Sequence, residues 1–185
     1  MTLTHVSNYY PMLDGKTISL RRPEVSDVEF LFKWENDSSN NGFSTINKGY
    51  SREEIINFIH DFTPVQISGQ LRFMIVENDT NQPIGTIDLF DADFANQFAG
   101  VGILIADRQK RKNGIGFEAL ELLKVYSKNR LEFIHLSASI KSNNLASIHL
   151  FEKSGFKKVG VRKDWYFHKL KRMDEYIYQL CLNEI

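Results

Sequence analysis

The chain has 185 residues, of which 42% are hydrophobic, enough for one domain with a packed core. Its 23 basic and 23 acidic residues cancel, which argues against a nucleic-acid-binding protein and against a polybasic membrane-surface protein. A single cysteine, Cys181, excludes an internal disulfide. With no leader-like apolar block and no run of membrane-spanning length, a soluble cytoplasmic protein is expected.

Residues 1–14 lack periodicity and read as an irregular N-terminal arm, leaving a single domain over 15–185. Ile18–Arg21 alternates and is predicted as the first strand, ended by Pro23. Ser26 can cap a helix whose apolar face is Phe30, Leu31 and Trp34. Glu35 to Asn47 is polar and reads as a loop. Ser51 then caps a second helix, with Glu54 completing a capping box and Ile55, Ile56 and Ile59 supplying the apolar side.

Two strands, Leu71–Glu77 and Ile84–Phe90, flank a turn-rich segment and form a predicted hairpin. Asp91 to Gln97 links them to an apolar strand over Val101–Ala106. After Gly116 the period changes. Ile115, Ala119, Leu122 and Tyr126 recur on one helical face, with Glu118, Glu121, Lys124 and Lys128 off it, so a helix is predicted over 116–128. Phe133–Ile140 is the next strand, Asn144 caps a short helix, and Gly155 stops it. Closing strands near Lys157–Tyr166 and Glu175–Leu182 flank a turn near Lys169–Arg172. Cys181 falls in the last of these apolar runs and reads as a buried structural thiol. Strands and helices in this mixture give an α+β fold with a mixed sheet.

The strand-to-helix turn Arg111-Lys112-Asn113-Gly114-Ile115-Gly116-Phe117 carries the first chemical signal. The leading N–H groups of a helix lack partners and carry the positive end of its dipole, and glycines let a ligand approach them. A diphosphate fits such a turn, although an unliganded turn would have the same residues. A second segment reads Asn144-Leu-Ala-Ser147-Ile-His-Leu150-Phe151-Glu-Lys153-Ser-Gly155-Phe156. Together, Arg111-x-x-Gly114-x-Gly116 and this segment resemble the two signature motifs of the GNAT N-acetyltransferase superfamily. The resemblance is nearest to spermidine and ribosomal-protein-alanine N-acetyltransferases.

That resemblance implies a single domain with a mixed, mostly antiparallel sheet, helices on both faces, and strands parted between the Val101 and Phe133 segments. It implies acetyl-CoA as co-substrate. The pyrophosphate would lie on Arg111–Phe117 and the pantetheine arm on main-chain groups of Ile103, Leu104 and Ile105. Asn144, Phe151 and Lys153 would add cofactor contacts from the second motif. The acceptor would be a primary amine, a polyamine or a protein N-terminal amine; a coenzyme A-binding module without turnover is the rival reading. Relatives are often dimers or larger, so a homo-oligomer stays open.

Acetyl transfer needs a neutral amine, donors for the oxyanion and a proton for the departing thiolate. The family often has a tyrosine where this chain has Phe151, which cannot protonate anything. Ser147, one turn earlier, is the nearest hydroxyl and the candidate acid, or simply a helix-start residue. Asp88 and Asp91 match acidic positions of the spermidine enzymes, and Glu35 lies in the acceptor-side region; these three are the candidate acceptor-binding residues. Asp88 and Asp91 alternate onto opposite faces unless the strand bends between them. A further acidic residue of the spermidine enzymes, early in the fourth strand, is Gly100 here. Asp91, Asp93 and Asp107 meet no converging histidine, so no metal site is expected. Trp34, Trp165 and Tyr166 could shape an acceptor pocket or pack in the core.

Overall fold

The computed structural model describes residues 11–37, 49–61, 63–111, 113–168 and 170–184. Eight strands form one sheet: β1 (Leu13–Asp14), β2 (Ile18–Arg21), β3 (Leu71–Glu77), β4 (Gln82–Asp93), β5 (Phe98–Ile105), β6 (His135–Lys141), β7 (Lys157–His168) and β8 (Lys171–Cys181). Their spatial order is β1-β2-β3-β4-β5-β6-β8-β7, and every neighbouring pair is antiparallel except β5–β6. The α+β architecture with a mixed sheet is therefore as expected. Five helices accompany it among the described residues: α1 (Val28–Asn36), α2 (Arg52–His60), α3 (Val65–Ser68), α4 (Ile115–Arg130) and α5 (Leu145–Lys153).

Alternation along the strands sends side chains to two cores. Phe73, Ile75, Ile87, Leu89, Val101, Leu136 and Ala138 pack with Ala119, Leu120 and Leu123 of α4 and Phe151 of α5. Met74 and Val76 point the other way and meet Leu31 and Trp34 of α1 and Ile55 and Ile59 of α2, with Leu104 at the edge. Helices thus cover both faces of the sheet. None of the described helices is long and apolar enough to cross a membrane.

Several local expectations change. Leu13 and Asp14, placed in the arm, pair with Leu20 and Ser19 as β1; residues 1–10 lie outside the described residues. Ser26 does not cap α1. A short 3-10 turn, Val25–Asp27, precedes it, and the buried Asp27 carboxylate accepts from the Glu24 N–H (2.8 Å) and from both ends of the Arg21 fork (2.7 and 2.8 Å). The carboxylate is the stronger acceptor and brings its own counter-charge. Glu35 belongs to α1, while residues 38–48 of the polar stretch after it lie outside the described residues.

Lys124, assigned to the outer face of α4, is 6% exposed. Its ammonium donates to Glu121 (2.6 Å) and to the Ser154 carbonyl just past α5 (3.0 Å), which compensates its burial. The Ser51–Glu54 capping box forms as read, with both reciprocal bonds present. Asn144 caps α5, and Gly155 follows that helix at φ +90°, where a side chain would be strained.

Candidate active site

The strands β5 and β6 are in register only over Phe98–His135, Ala99–Leu136 and Gly100–Ser137. Beyond Gly100, β5 pairs with β4 alone, so the sheet opens between Val101–Ile105 and Ala138–Lys141. The Ala106 N–H bonds the Ile84 carbonyl (2.9 Å), which fixes the alternation. Leu104 and Gly102 turn their main-chain groups to Thr86 and Asp88, while Ile103 and Ile105 turn theirs into the opening. The Ile105 carbonyl accordingly accepts from Arg111 Nε at 2.8 Å. Of the three residues assigned to main-chain pairing with a ligand arm, Ile103 and Ile105 have groups facing the gap, and Leu104 has its bonds in the ladder.

The helix α4 begins beside the same edge. Gly114 is its N-cap residue at φ +83°, with no side-chain cap, and a Cβ built there meets nothing within 4 Å. The first intrahelical bond is Glu118 N–H to the Gly114 carbonyl (2.9 Å), so the N–H groups of Ile115, Gly116 and Phe117 have no helical acceptor. α2 and α5, by contrast, carry side-chain caps. Gly116 is needed for packing as well: a Cβ there would stand 3.1 Å from Leu150 and 3.8 Å from Ile103. Asn113 Nδ2 reaches back to the Gln109 carbonyl (3.4 Å); Lys112 lies outside the described residues.

The second motif packs alongside. Lys153 lies over the Phe117 ring at 4.8 Å, joining the two motif helices. Asn144 accepts from the Ser147 N–H (3.3 Å) and donates to the Ser147 Oγ (2.8 Å). Ser147 is thus a helix-start residue whose hydroxyl oxygen accepts from Asn144, which turns its O–H hydrogen away from that amide. Phe151 is 3% exposed and meets Phe156 edge-on at 4.9 Å.

Across the sheet, against β3 and β4 and under α1 and α2, lies a cavity of about 420 Å³. Asn36 tethers its rim by donating to the Phe32 and Tyr50 carbonyls (2.8 and 2.9 Å). Glu35 and Asp88 line it, as does Arg72, which the sequence reading missed. Arg72 stands opposite Asp88 in the β3–β4 register. Its Nε and Nη2 donate to Asp88 at 2.7 and 3.1 Å, and its Nη1 donates to Glu35 at 2.7 Å. Burial opposes the guanidinium charge, but Asp88 and then Glu35 outweigh it and hold the Arg72 pKa above its usual value.

Of the three candidate acceptor carboxylates, Glu35 and Asp88 come together in the cavity and both are shared with Arg72. Asp91 does not line the cavity; β4 bulges between Phe90 and Asp93, and Asp91 stands exposed at φ +49°. Its neighbour Asp93 accepts from Asn96 twice (2.8 Å each), and Asp107 accepts from the Gln109 N–H (2.9 Å), both ordinary turn contacts.

Gly100 has a physical reason. The Phe90 ring lies over it, and a Cβ at Gly100 would fall 2.4 to 2.8 Å from three ring carbons. An aromatic wall thus stands at this position. Trp34 packs in the core between α1 and β3, and Trp165 is exposed; neither lines the cavity. Tyr166 hydrogen-bonds the buried Glu175. A signal for Arg72 existed: once the hairpin is drawn, Arg72 and Asp88 form an opposite-charge cross-strand pair. Nothing in the sequence announced Phe90 lying across a glycine.

The site thus combines a parted sheet, an uncapped helix start beside the opening and an acidic cavity under α1 and α2. The model of the acetyltransferase (GNAT) domain matches residues 17–157. The chain is 30% identical over 158 residues to "Probable N-acetyltransferase YjcK" of Bacillus subtilis, covering 82% of this chain and 87% of that protein. It is 25% identical over 168 residues to "Uncharacterized N-acetyltransferase p20" of Bacillus licheniformis (90% and 94% covered). Among solved structures, spermidine N-acetyltransferase from Vibrio cholerae in complex with CoA and spermine superposes with a TM-score of 0.81 at 18% identity (91% and 98% covered). A GNAT-family acetyltransferase from Bacillus anthracis superposes at 0.77, also at 18% identity (94% and 99% covered). The chain belongs to the GNAT family and is an N-acetyltransferase.

Proposed function

We propose that the protein transfers the acetyl group of acetyl-CoA to a primary amine, with the co-substrate in the β5–β6 opening and the amine in the cavity under α1 and α2. The observation that carries this reading is the opening itself: β5 keeps the Ile103 main-chain groups and the Ile105 N–H free beside an uncapped α4, with Asp88 of the cavity wall one strand away. The residues fit the co-substrate. Three unpartnered N–H groups on Ile115, Gly116 and Phe117 suit a pyrophosphate, Gly114 leaves open space above them, and the free β5 edge suits an amide-bearing arm. Bound there, acetyl-CoA supplies an activated thioester.

The chain's own groups do the rest. β5 N–H groups facing the gap are placed to donate to a developing oxyanion. The Ser147 hydroxyl, whose oxygen accepts from Asn144, has a hydrogen to give to the departing sulfur. Glu35 and Asp88 set the charge around the amine, and being tied to Arg72 they leave proton removal to water.

The test is a steady-state assay of thiol release from acetyl-CoA against polyamines, monoamines, amino acids, aminoglycosides and peptides beginning with Ala or Ser. Turnover with at least one amine, with product mass increased by one acetyl group, is the expected result. Binding of acetyl-CoA without turnover on any acceptor would favour a coenzyme A-binding module. The Vibrio cholerae neighbour is a spermidine enzyme, and a protein N-terminal amine is the other acceptor class that the same cavity must be tried with.

A further inference from the structure

We propose that Arg72 sets the charge of the acceptor, selecting an amine with a single ammonium on a neutral body over a polycation. This rests on the cavity being the acceptor site. Three observations carry it. The Arg72 fork occupies Asp88 with two nitrogens and Glu35 with a third, and all three side chains are about a quarter exposed or less (26, 25 and 22%). A bidentate arginine on a partly buried carboxylate is held by geometry as well as charge. A second ammonium reaching for either acid must displace a tethered cation and also faces its repulsion.

The remaining acids are committed on another wall. Glu54 accepts from the Ser51 N–H (2.7 Å), and Asp61 accepts from the Thr63 N–H (2.9 Å) and hydroxyl (2.5 Å). Counting Glu35, Glu54, Asp61 and Asp88 against Arg22 and Arg72, the lining carries a formal charge of four minus two, or −2. The inner group of Glu35, Asp88 and Arg72 is itself two minus one, or −1, the charge that one ammonium neutralises. Loss of the Arg72 charge would take the lining to −3 and free both inner carboxylates.

The third observation is the wall next to the sheet opening. Phe90 covers Gly100 and Gly102 there, and Leu31, Tyr50 and Phe58 add apolar lining. The body of the acceptor meets aromatic and aliphatic surface, and Asp91 stands outside the cavity, so among the described residues Glu35 and Asp88 are the carboxylates on this inner wall and both are held by Arg72.

The experiment compares kcat/KM for hexylamine, hexamethylenediamine and spermidine in the wild type, Arg72→Gln and Arg72→Lys, with the KM for acetyl-CoA as a control. The wild type should favour the monoamine by about tenfold, the scale of one unit charge a few ångströms away at a partly screened site. Arg72→Gln should shift the ratio towards the diamine and spermidine by a similar factor and leave the KM for acetyl-CoA in place. Arg72→Lys, which keeps the charge, should hold the wild-type preference. A gain towards polycations is an effect that simple damage to β3 would not produce. Should Arg72→Gln fail to fold, the wild-type and Arg72→Lys ratios decide. A wild type that favours the diamine or spermidine, or a ratio that Arg72→Gln leaves unmoved, overturns the inference while the acetyltransferase reading stands. Absence of turnover on every amine, with acetyl-CoA still bound, overturns the proposed function and the inference with it.

Discussion

Ser147 carries two roles that one substitution separates. Its N–H is the group that Asn144 caps, and its hydroxyl is the group with a hydrogen to spare. Ser147→Ala keeps the capped N–H, so stability should change by less than about 1 kcal/mol, in the range of substitutions that leave caps and core intact. The rate should fall by about 10²-fold or more if the hydroxyl protonates the thiolate, with the KM for acetyl-CoA nearly unchanged. Stopped-flow measurement of thiol release gives the answer, and a wild-type rate would leave Ser147 as a helix-start residue alone. At this scale the sequence was legible where a residue's role is local. Asn144, Gly155 and the Ser51–Glu54 box act on their own segments, so spacing is enough to find them. Arg72, Phe90 and Lys124 were misread or missed because their partners lie in other elements. A lysine on a helix reads as exposed until the carbonyl of Ser154 is known to lie beneath it.

Among the elements, α4 is fixed at both its ligand end and its packing face. Glu118 in its first turn accepts from the Thr17 N–H (2.8 Å) and the Thr17 hydroxyl, tying the β1–β2 turn to the helix. Burial raises the Glu118 pKa, and the bonds from Thr17 outweigh it, so the folded value lies below the ordinary 4.5. A carboxylate depressed in the folded state adds stability that is fully present above its unfolded pKa and lost as pH falls through the folded one. Urea unfolding of wild type and Glu118→Gln should therefore differ most at neutral pH, and the two should converge below 4.5.

The open start of the same helix gives a variant with effects of opposite sign. Asn113→Asp places a negative charge at the positive end of the dipole, which supports the helix by about 0.3–1 kcal/mol. The same charge repels a pyrophosphate. Calorimetry should show acetyl-CoA affinity falling by about tenfold while the melting temperature holds or rises; unchanged affinity would move the anion site elsewhere. Periodicity located α4, α5 and the central strands within a few residues. It could not locate α3, a single turn with too few residues to show a period, nor β1, two residues whose only signal is the partner strand.

For the whole molecule, the order of elements made the mixed sheet legible, and the resemblance supplied the parting between β5 and β6. What neither supplied is how little joins the two halves there. Three register pairs at the closed end hold β5 to β6, and the rest of that boundary is opening. The unpaired length of β5 is in effect an edge strand inside the protein, waiting for a strand-like partner. A co-substrate arm lying along it would complete the ladder, and acetyl-CoA would then act as a ninth strand as well as a reactant. Amide hydrogen exchange can read this residue by residue. The N–H groups of Ile103 and Ile105 should exchange fast in the free protein and slow on addition of acetyl-CoA. Leu104 between them, already bonded to β4, should be slow in both states, so protection gained by alternate residues would trace the seam that the ligand closes.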